Sequence, residues 1–485
     1  MMPADMLSEV EQVKSIVARY FPIYDVKVNY QAVTLYVTPI STEIEDKFDK
    51  MRIEMKGLKY IPFLAHKGGE YTITVIRAQE RATRGLGFNV VLLIITAFTM
   101  VIAGAVLWGS YSGDTDLFSL NNLLWGSVYF AIPLMTILGV HELSHFLMSK
   151  RHNVAASLPF FIPSIPPLGT MGAFISLRDP IPNRKALVDI GIAGPIGGLL
   201  VTIPIAILGF WLTSSGTPVG AVPQEGLIGM GAPLLYDLIQ LFVPMSQNVY
   251  VHPLAFAAWV GFLVTAINLL PAGQLDGGHV ARGLLGENAR FLSYAVMGIL
   301  MFLGIFLYTG WLLFGLIVIL LGMNHPQPLD DVSKLDIKRK ALGVGAIVLL
   351  LLTFSPVPLY TTEADFHYEV DVVGGNVVNI TAGSTAMIYM EIKNVGNTNY
   401  TMTMVVMNVP SEWGRGLNLE NQTGVTTERV TFDLHYQETR TVVLELIVPA
   451  TAVHGQYNIM VDAVSKNSNG DAKITIQTPL TINVS

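Results

Sequence analysis

Gly139-Val140-His141-Glu142-Leu143-Ser144-His145-Phe146-Leu147 is an H-E-x-x-H sequence inside an otherwise apolar run from Leu123 to Met148. On a helix, positions four apart share a face, so His141 and His145 can present two imidazoles to one metal ion. Glu142 stands beside them, where it can take a proton from a water that the metal activates. Two histidines and a carboxylate are costly in hydrocarbon, which makes them a functional feature by default. The plainer reading is a helix end where polar residues meet water. A five-residue match arises by chance in roughly one chain in a hundred of this length, so the motif alone is modest support. A second polar group in another apolar segment tips the balance.

That group is Asn268-Leu-Leu-Pro271-Ala-Gly-Gln-Leu-Asp276-Gly277-Gly278-His279, which follows the apolar run Pro253 to Leu270. It supplies a carboxylate at a similar depth. Two His and one Asp with a fourth position open to water make a reasonable catalytic zinc set. Together the two stretches resemble the site-2 protease family of intramembrane zinc metalloproteases. The signature of that family is H-E-x-x-H in one transmembrane helix and an N-x-x-P-x-x-x-L-D-G-like motif in a later one. The resemblance covers roughly Arg84 to Leu342. It implies one Zn²⁺ per chain held by His141, His145 and Asp276, with Glu142 as the general base. Asn268 is then a donor to the developing oxyanion, and an interhelical hydrogen bond is its equal alternative. His279 is a rival ligand; the Gly-Gly before it leaves a shared helical face unsettled, so Asp276 ranks first.

Composition agrees with a membrane location. Of 485 residues, 51% are hydrophobic and 13% charged, against about 25% charged in soluble domains. There is no cysteine, so disulfides and thiolate metal sites are excluded and any metal rests on His, Asp and Glu. The net charge of −7 gives no ground for a nucleic-acid partner. Met1 to Tyr20 is polar and amphipathic rather than a signal peptide.

Residues 1–85 read as a small cytoplasmic α/β domain. Apolar residues recur at helical spacing from Asp5 to Tyr20, Val26 to Val37 alternates with one slip, Thr42 to Met55 is helical, and Tyr71 to Ile76 is a strand. His66 stands alone and reads as a solvated loop residue. Residues 86–360 form the transmembrane core. A span needs about 20 apolar residues, and seven runs qualify or nearly so: 88–109, 123–149, 187–212, 253–272, 291–308, 310–324 and 341–359.

Charge sets the orientation. Arg77, Arg81, Arg84, Lys150, Arg151, Arg178, Arg184, Lys185, Arg282, Arg290, Lys334, Lys338, Arg339 and Lys340 all fall on one side if the N-terminus is cytoplasmic. The segments 110–122 and 213–252 carry no Lys or Arg, and Trp108, Trp125, Trp211, Trp259 and Trp311 lie near the outer ends. The C-terminus is then extracytoplasmic, the expected location is the plasma membrane, and water reaches the metal group from the cytoplasm.

Between the two motifs, Pro159, Pro163, Pro166 and Pro167 forbid a helix, and Gly169 to Leu177 alternates as a strand whose edge can receive an extended substrate. An ordinary hairpin is the alternative. Gly191-Ile-Ala-Gly194-Pro195-Ile-Gly197-Gly198 suits close helix packing, and the family carries an A-G-P-x-G-like element here. Ala232 to Val243 suits an interfacial helix. The stretch from Asn324 to Val332 resembles the archaeal and chloroplast branch of the family, with His325 in a capping or loop role.

Residues 361–485 alternate between short strands and turns, which suits an immunoglobulin-like sandwich. The sequons at Asn379, Asn399, Asn421 and Asn483 all lie there, on the expected outer side. The fold class expected is therefore a multi-pass α-helical membrane protein of about seven spans, with an α/β domain before it and an all-β domain after it. The implied partners are transmembrane substrates and the lipid bilayer, with the outer sandwich as a docking surface for substrates or regulators. A metal-binding transporter would want polar residues along the whole membrane depth, whereas here they cluster on one side. An inactive scaffold would not need the complete Glu142 and ligand set.

Overall fold

The computed structural model describes residues 4–29, 31–38, 43–78, 86–114, 116–215, 228–245, 250–323, 325–420 and 427–485. Arg81, Arg84, Asn324, the Asn421 sequon and much of the 213–252 loop lie outside the described residues. The chain forms two compact units, Met1–Thr217 with Gly231–Pro358, and Pro218–Met230 with Leu359–Ser485.

The first unit begins with α1 (Ala4–Ala18), β1 (Ile23–Val28), β2 (Ala32–Val37), α2 (Ile44–Gly57), β3 (Tyr60–Lys67) and β4 (Glu70–Arg77). The antiparallel sheet has the order β1-β2-β4-β3. Val13, Ile16 and Val17 of α1 and Phe48, Met51 and Met55 of α2 are buried at helical spacing against Leu35, Leu64 and Ile73 of the sheet. The slip in Val26 to Val37 is a hairpin connection, where the Asn29 side chain accepts the N–H groups of Gln31 and Ala32. Strand β3 has no counterpart in the sequence reading, and it contains Pro62. Its edge position tolerates a residue that cannot donate to a ladder. His66 lies on β3 rather than in a loop, exposed and 4.2 Å from the Tyr71 ring.

This part is fastened to the rest of its unit. The Leu64 N–H donates to Leu329 O at 2.7 Å, and Leu329 enters the same apolar core. Lys56 pairs with Asp179 at 2.6 Å and Lys185 with Glu45 at 2.7 Å.

There follow α3 (Leu86–Ser112), α4 (Leu120–Gly126), α5 (Ile132–Arg151), β5 (Phe160–Pro163), β6 (Thr170–Phe174) and α6 (Arg184–Ser214). After β7 (Ile228–Met230) come α7 (Leu234–Gln240), α8 (Pro253–Leu269), α9 (Asp276–Leu285), α10 (Ala289–Phe306), α11 (Gly310–Leu321) and α12 (Ile337–Thr353). Four helical stretches among the described residues are long and apolar enough to cross a membrane: Gly87–Ser112, Leu120–Arg151, Arg184–Ser214 and Asp276–Phe306. Pro253–Leu269 and Gly310–Leu320 are apolar but shorter. Phe98, Leu200, Phe302, Leu320 and Leu351 stand exposed on these helices, which lipid favours and water does not.

Several boundaries differ from the sequence reading, among them that of α12, read as 341–359 and ending at Thr353. Helix α8 ends at Leu269, because Pro271 has no N–H to give and biases Leu270 toward the extended conformation it adopts. The run read as 291–308 is the second half of a longer helical stretch that starts at Asp276. The proline-rich segment does form a hairpin, with β5 antiparallel to β6. Helix α6 is the hub of this unit, packed on α5, α8 and α9.

The second unit holds β7 and β8 (Leu359–Thr361), paired with each other, followed by β9 (Tyr368–Val372), β10 (Val377–Ile380), β11 (Thr385–Asn394), β12 (Tyr400–Met407), β13 (Gly414–Leu419), β14 (Arg429–Leu434), β15 (Thr439–Ile447), β16 (Gly455–Lys466) and β17 (Ala472–Val484). One sheet has the order β10-β17-β16-β12-β14 and the other β13-β15-β11-β9. Residues of both, among them Met390, Ile392, Leu444, Met402, Val461 and Leu480, share one apolar core. Burial alternates along β11 with the period of two that its sequence shows.

Candidate metal centre

Helices α4 and α5 join through a π-turn over Ser127–Ala131 into one continuous helix, so His141 and His145 lie one turn apart on the same face. The loop 270–275 after α8 returns the chain to this face, and Asp276 is the first residue of α9. Three donor atoms from 135 residues of separation converge. His141 Nε2 is 3.2 Å from His145 Nε2 and 3.2 Å from Asp276 Oδ2, and His145 Nε2 is 3.1 Å from Asp276 Oδ2. Both histidines are buried, at 3% and 5% exposure.

The imidazole tautomer is set from behind. His145 Nδ1 lies 2.7 Å from the Ile190 carbonyl of α6, so it is the nitrogen that carries the proton and donates. Its Nε2 lone pair then faces a second imidazole nitrogen and a carboxylate oxygen. His145 Nε2 and Asp276 Oδ2 are two acceptors 3.1 Å apart, with His141 Nε2 3.2 Å from each, and a cation among them relieves the repulsion of the acceptor pair. A tetrahedral zinc with bonds of about 2.0–2.1 Å has donor–donor edges of roughly 3.3–3.4 Å, close to the triangle observed. The residues therefore fit a metal ion of the zinc type, and among the described residues His141, His145 and Asp276 are the group that could hold one.

Glu142 is 7% exposed, and its Oε1 lies 4.0 Å from His141 Nε2. The main chain at Ile175, just past β6, lies near the Glu142 carboxylate. Asn268, near the end of α8, places its Nδ2 3.3 Å from His141 Nε2, so its amide reaches the same group. His279 stands apart from the triangle. Its Nδ1 lies 3.1 Å from Leu275 O, and its ring packs edge-on against His325 at 4.3 Å. His325 in turn lies 2.7 Å from Pro326 O, in the loop after α11.

Helix α6 can reach the histidines only because it is stripped of side chains there. A Cβ on Gly194 would lie 2.0 Å from His145 Nε2, and one on Gly197 would lie 2.0 Å from Ser144 Oγ. The glycine-rich stretch read as helix packing thus packs on the metal-facing residues themselves. Sequence reasoning missed the Ile190 carbonyl, since a main-chain partner leaves no mark on residue type.

The centre opens into a cavity of about 1660 Å³. Its lining includes His141, Glu142, His145, Asn268 and Asp276, residues 173–179 of β6 and the stretch after it, and residues of α2, β3 and β4.

Residues 129–311 match the model of Peptidase family M50. The chain is 36% identical over 248 residues to "Probable zinc metalloprotease EGY1, chloroplastic" of Arabidopsis thaliana, which covers 48% of this chain and 44% of that protein. It is 29% identical over 277 residues to "Probable zinc metalloprotease EGY2, chloroplastic" of Oryza sativa subsp. indica, covering 55% and 49%. It is also 29% identical over 363 residues to "Probable zinc metalloprotease EGY3, chloroplastic" of the same source, covering 67% and 59%. The chain thus spans about half the length of the curated relatives it matches.

Proposed function

We propose that this protein, with a metal centre inside a stretch matching peptidase family M50, is a zinc-dependent intramembrane endopeptidase of the site-2 protease type. It hydrolyses peptide bonds within or beside the transmembrane segments of membrane proteins. The observation that carries this reading is the donor triangle of His141, His145 and Asp276 with Glu142 buried alongside it.

His141, His145 and Asp276 would hold the ion. Zinc so held supplies Lewis acidity, which polarises a peptide carbonyl and lowers the pKa of water to about 7. Glu142 takes the proton of the attacking water and hands a proton to the leaving amine. The Asn268 amide donates to the carbonyl oxygen as negative charge develops on it. His145 keeps its position through Nδ1 on Ile190 O. A substrate helix hides its scissile bond within its own hydrogen bonds, so substrates carry a helix-weakening residue near the cut.

In this reading residues 1–85 are a cytoplasmic α/β domain, 86–360 a core of about seven spans, and 361–485 an extracytoplasmic immunoglobulin-like sandwich. The location is the plasma membrane, with the basic residues on the cytoplasmic side. The sandwich docks or filters substrates from outside. The test is cleavage of a fused transmembrane substrate by purified protein in detergent. Cutting should stop on chelation and return with zinc; cutting that survives complete metal removal refutes the proposal.

A further inference from the structure

Helix α6 meets α5 through glycine. Gly194, Gly197 and Gly198 bring its backbone against the face that carries His141, Ser144 and His145. Such a surface allows close approach but offers no side chains to interlock, so it does little to stop one helix from sliding along the other. Sliding matters here, because the Ile190 carbonyl of α6 accepts the His145 Nδ1–H at 2.7 Å. A shift of one residue along a helix axis is about 1.5 Å, against the roughly 0.5 Å that a functional constellation tolerates.

Asp189, the neighbour of Ile190, supplies a lock. His152 Nε2 donates to Asp189 Oδ2 at 2.9 Å. His152 caps the C-terminus of α5, about two turns beyond His145 and so near the same face. Adjacent residues of α6 therefore hold α5 at two points, the Ile190 main chain at His145 and the Asp189 side chain at His152. The carboxylate is itself held by a third element. Arg339, in the first turn of α12, donates from Nε to Asp189 Oδ1 at 2.9 Å and Oδ2 at 3.0 Å, and its Nη2 also reaches Oδ2. Nη1 of the same guanidinium bonds Asp336, whose carboxylate caps α12. The side chains of Asp189, His152 and Arg339 are 12%, 18% and 23% exposed. Charge-assisted bonds so far out of water resist displacement better than surface pairs do.

We propose that Asp189 is a positioning residue of the metal centre: anchored by Arg339 and gripping His152, it fixes the register of α6 on α5 and so keeps the Ile190 carbonyl behind His145. It acts through His152 and Ile190 rather than on the reacting groups. This rests on the reading of His141, His145 and Asp276 as metal ligands. Lys185, one turn earlier on α6, gives the contrast, since it pairs at 2.7 Å with Glu45 of α2 instead of a residue of α5.

The test compares the purified full chain in detergent with its Asp189→Asn, His152→Ala, His152→Gln and Lys185→Gln variants. Zinc affinity is read by chelator competition, ligand geometry by the visible absorption of the cobalt form, and stability by the thermal midpoint without metal. Loss of a partner behind a ligand costs about 10–100-fold in affinity, and Asp189 stands one step further back. Asp189→Asn and His152→Ala should therefore weaken zinc binding about 10-fold and shift the cobalt bands. Glutamine at position 152 keeps an N–H donor near the place of Nε2 and should bring affinity back to within about threefold of wild type. Lys185→Gln removes an ion pair from the same end of α6 and should leave affinity and cobalt bands at wild-type values, even where the thermal midpoint falls. Folded Asp189→Asn and His152→Ala proteins with wild-type affinity and bands overturn the inference. So does an equal loss in Lys185→Gln, which marks a general loosening of α6. Should Asp189→Asn fail to fold, the two His152 variants decide: alanine weak with glutamine restored supports the lock, and no difference between them overturns it. A wild type that takes up neither metal removes the ligand reading and this inference with it.

Discussion

Alanine at position 194 would put a Cβ 2.0 Å from His145 Nε2, 2.5 Å from Cδ2 and 2.6 Å from Cε1. Ordinary van der Waals contact begins at 3.4 Å, so ring and helix must part by about 1.4 Å. A functional constellation tolerates about 0.5 Å, and metal–ligand bonds about 0.2 Å. The imidazole cannot slide away along α6, because its Nδ1 is held on Ile190 O, four residues before Gly194 on the same helix. Either that bond breaks or α6 moves off α5, at an overpacking cost of about 1–3 kcal/mol. Zinc affinity should fall by about 100-fold or more, since lesser disturbances behind a ligand already cost 10–100-fold. Gly298→Ala is the control. Nothing lies within 4 Å of a Cβ there, and alanine in place of glycine within a helix should stabilise by about 0.5–1 kcal/mol. Zinc affinity by competition with a chromophoric chelator, read beside the thermal midpoint, separates the two. A folded Gly194→Ala protein with wild-type zinc affinity refutes the packing argument.

Other consequences can be checked on the same protein. Arg282 is 5% exposed and bonded to both oxygens of Asp331 at 3.0 and 2.7 Å. Arg282→Ala leaves that carboxylate without its cation and should cost about 3–5 kcal/mol in unfolding free energy, with less lost when Asp331→Ala is added. Burial, with the charge of His279 adding to it, pushes the His325 imidazole down to about 3, against about 6.5 in an unfolded chain. A base held below its unfolded value gives stability that is fully present above pH 6.5 and lost as the pH falls toward 3. The thermal midpoint of His325→Phe should therefore decline less than that of wild type from pH 6.5 to 4; parallel profiles contradict the assignment. The chain has no cysteine, so single thiols can report orientation. His66→Cys and the 73% exposed Val453→Cys should react with an impermeant maleimide from opposite faces of sealed vesicles; labelling from one face rules out the proposed topology.

How much of this was legible depends on which forces wrote it. The paired histidines were visible because their spacing is a property of one helix. The alternation in β11, β15 and β16 was visible because each strand buries one face, so its period is local too. Asp276 was read from a second polar group in an apolar run and from the resemblance the two stretches carry, since no local rule brings residues 135 positions apart to 3.2 Å. Helix ends were misjudged where hydropathy and backbone chemistry part company: Leu270 and Pro271 are apolar, yet Pro271 ends α8 and so lets Asp276 begin a new helix. Strand β3 has no counterpart in the sequence reading, and it carries Pro62, a strand breaker that an edge accommodates. The stretch Ile228–Met230 reads as part of a loop, but pairs with Leu359–Thr361 across 130 residues of sequence. Most hidden was a main-chain role, the Ile190 carbonyl behind His145, because any residue type could have supplied it.

The most direct test compares purified wild type with Glu142→Gln, reading zinc content and cleavage of a fused transmembrane substrate in the same preparations. Glutamine keeps the shape and burial of the side chain while removing its ability to take a proton, and the three proposed ligands are untouched. The account predicts about one zinc per chain in both proteins and cutting by wild type alone. Equal cutting by Glu142→Gln would remove Glu142 as the base, and absence of bound metal from both would contradict the centre itself.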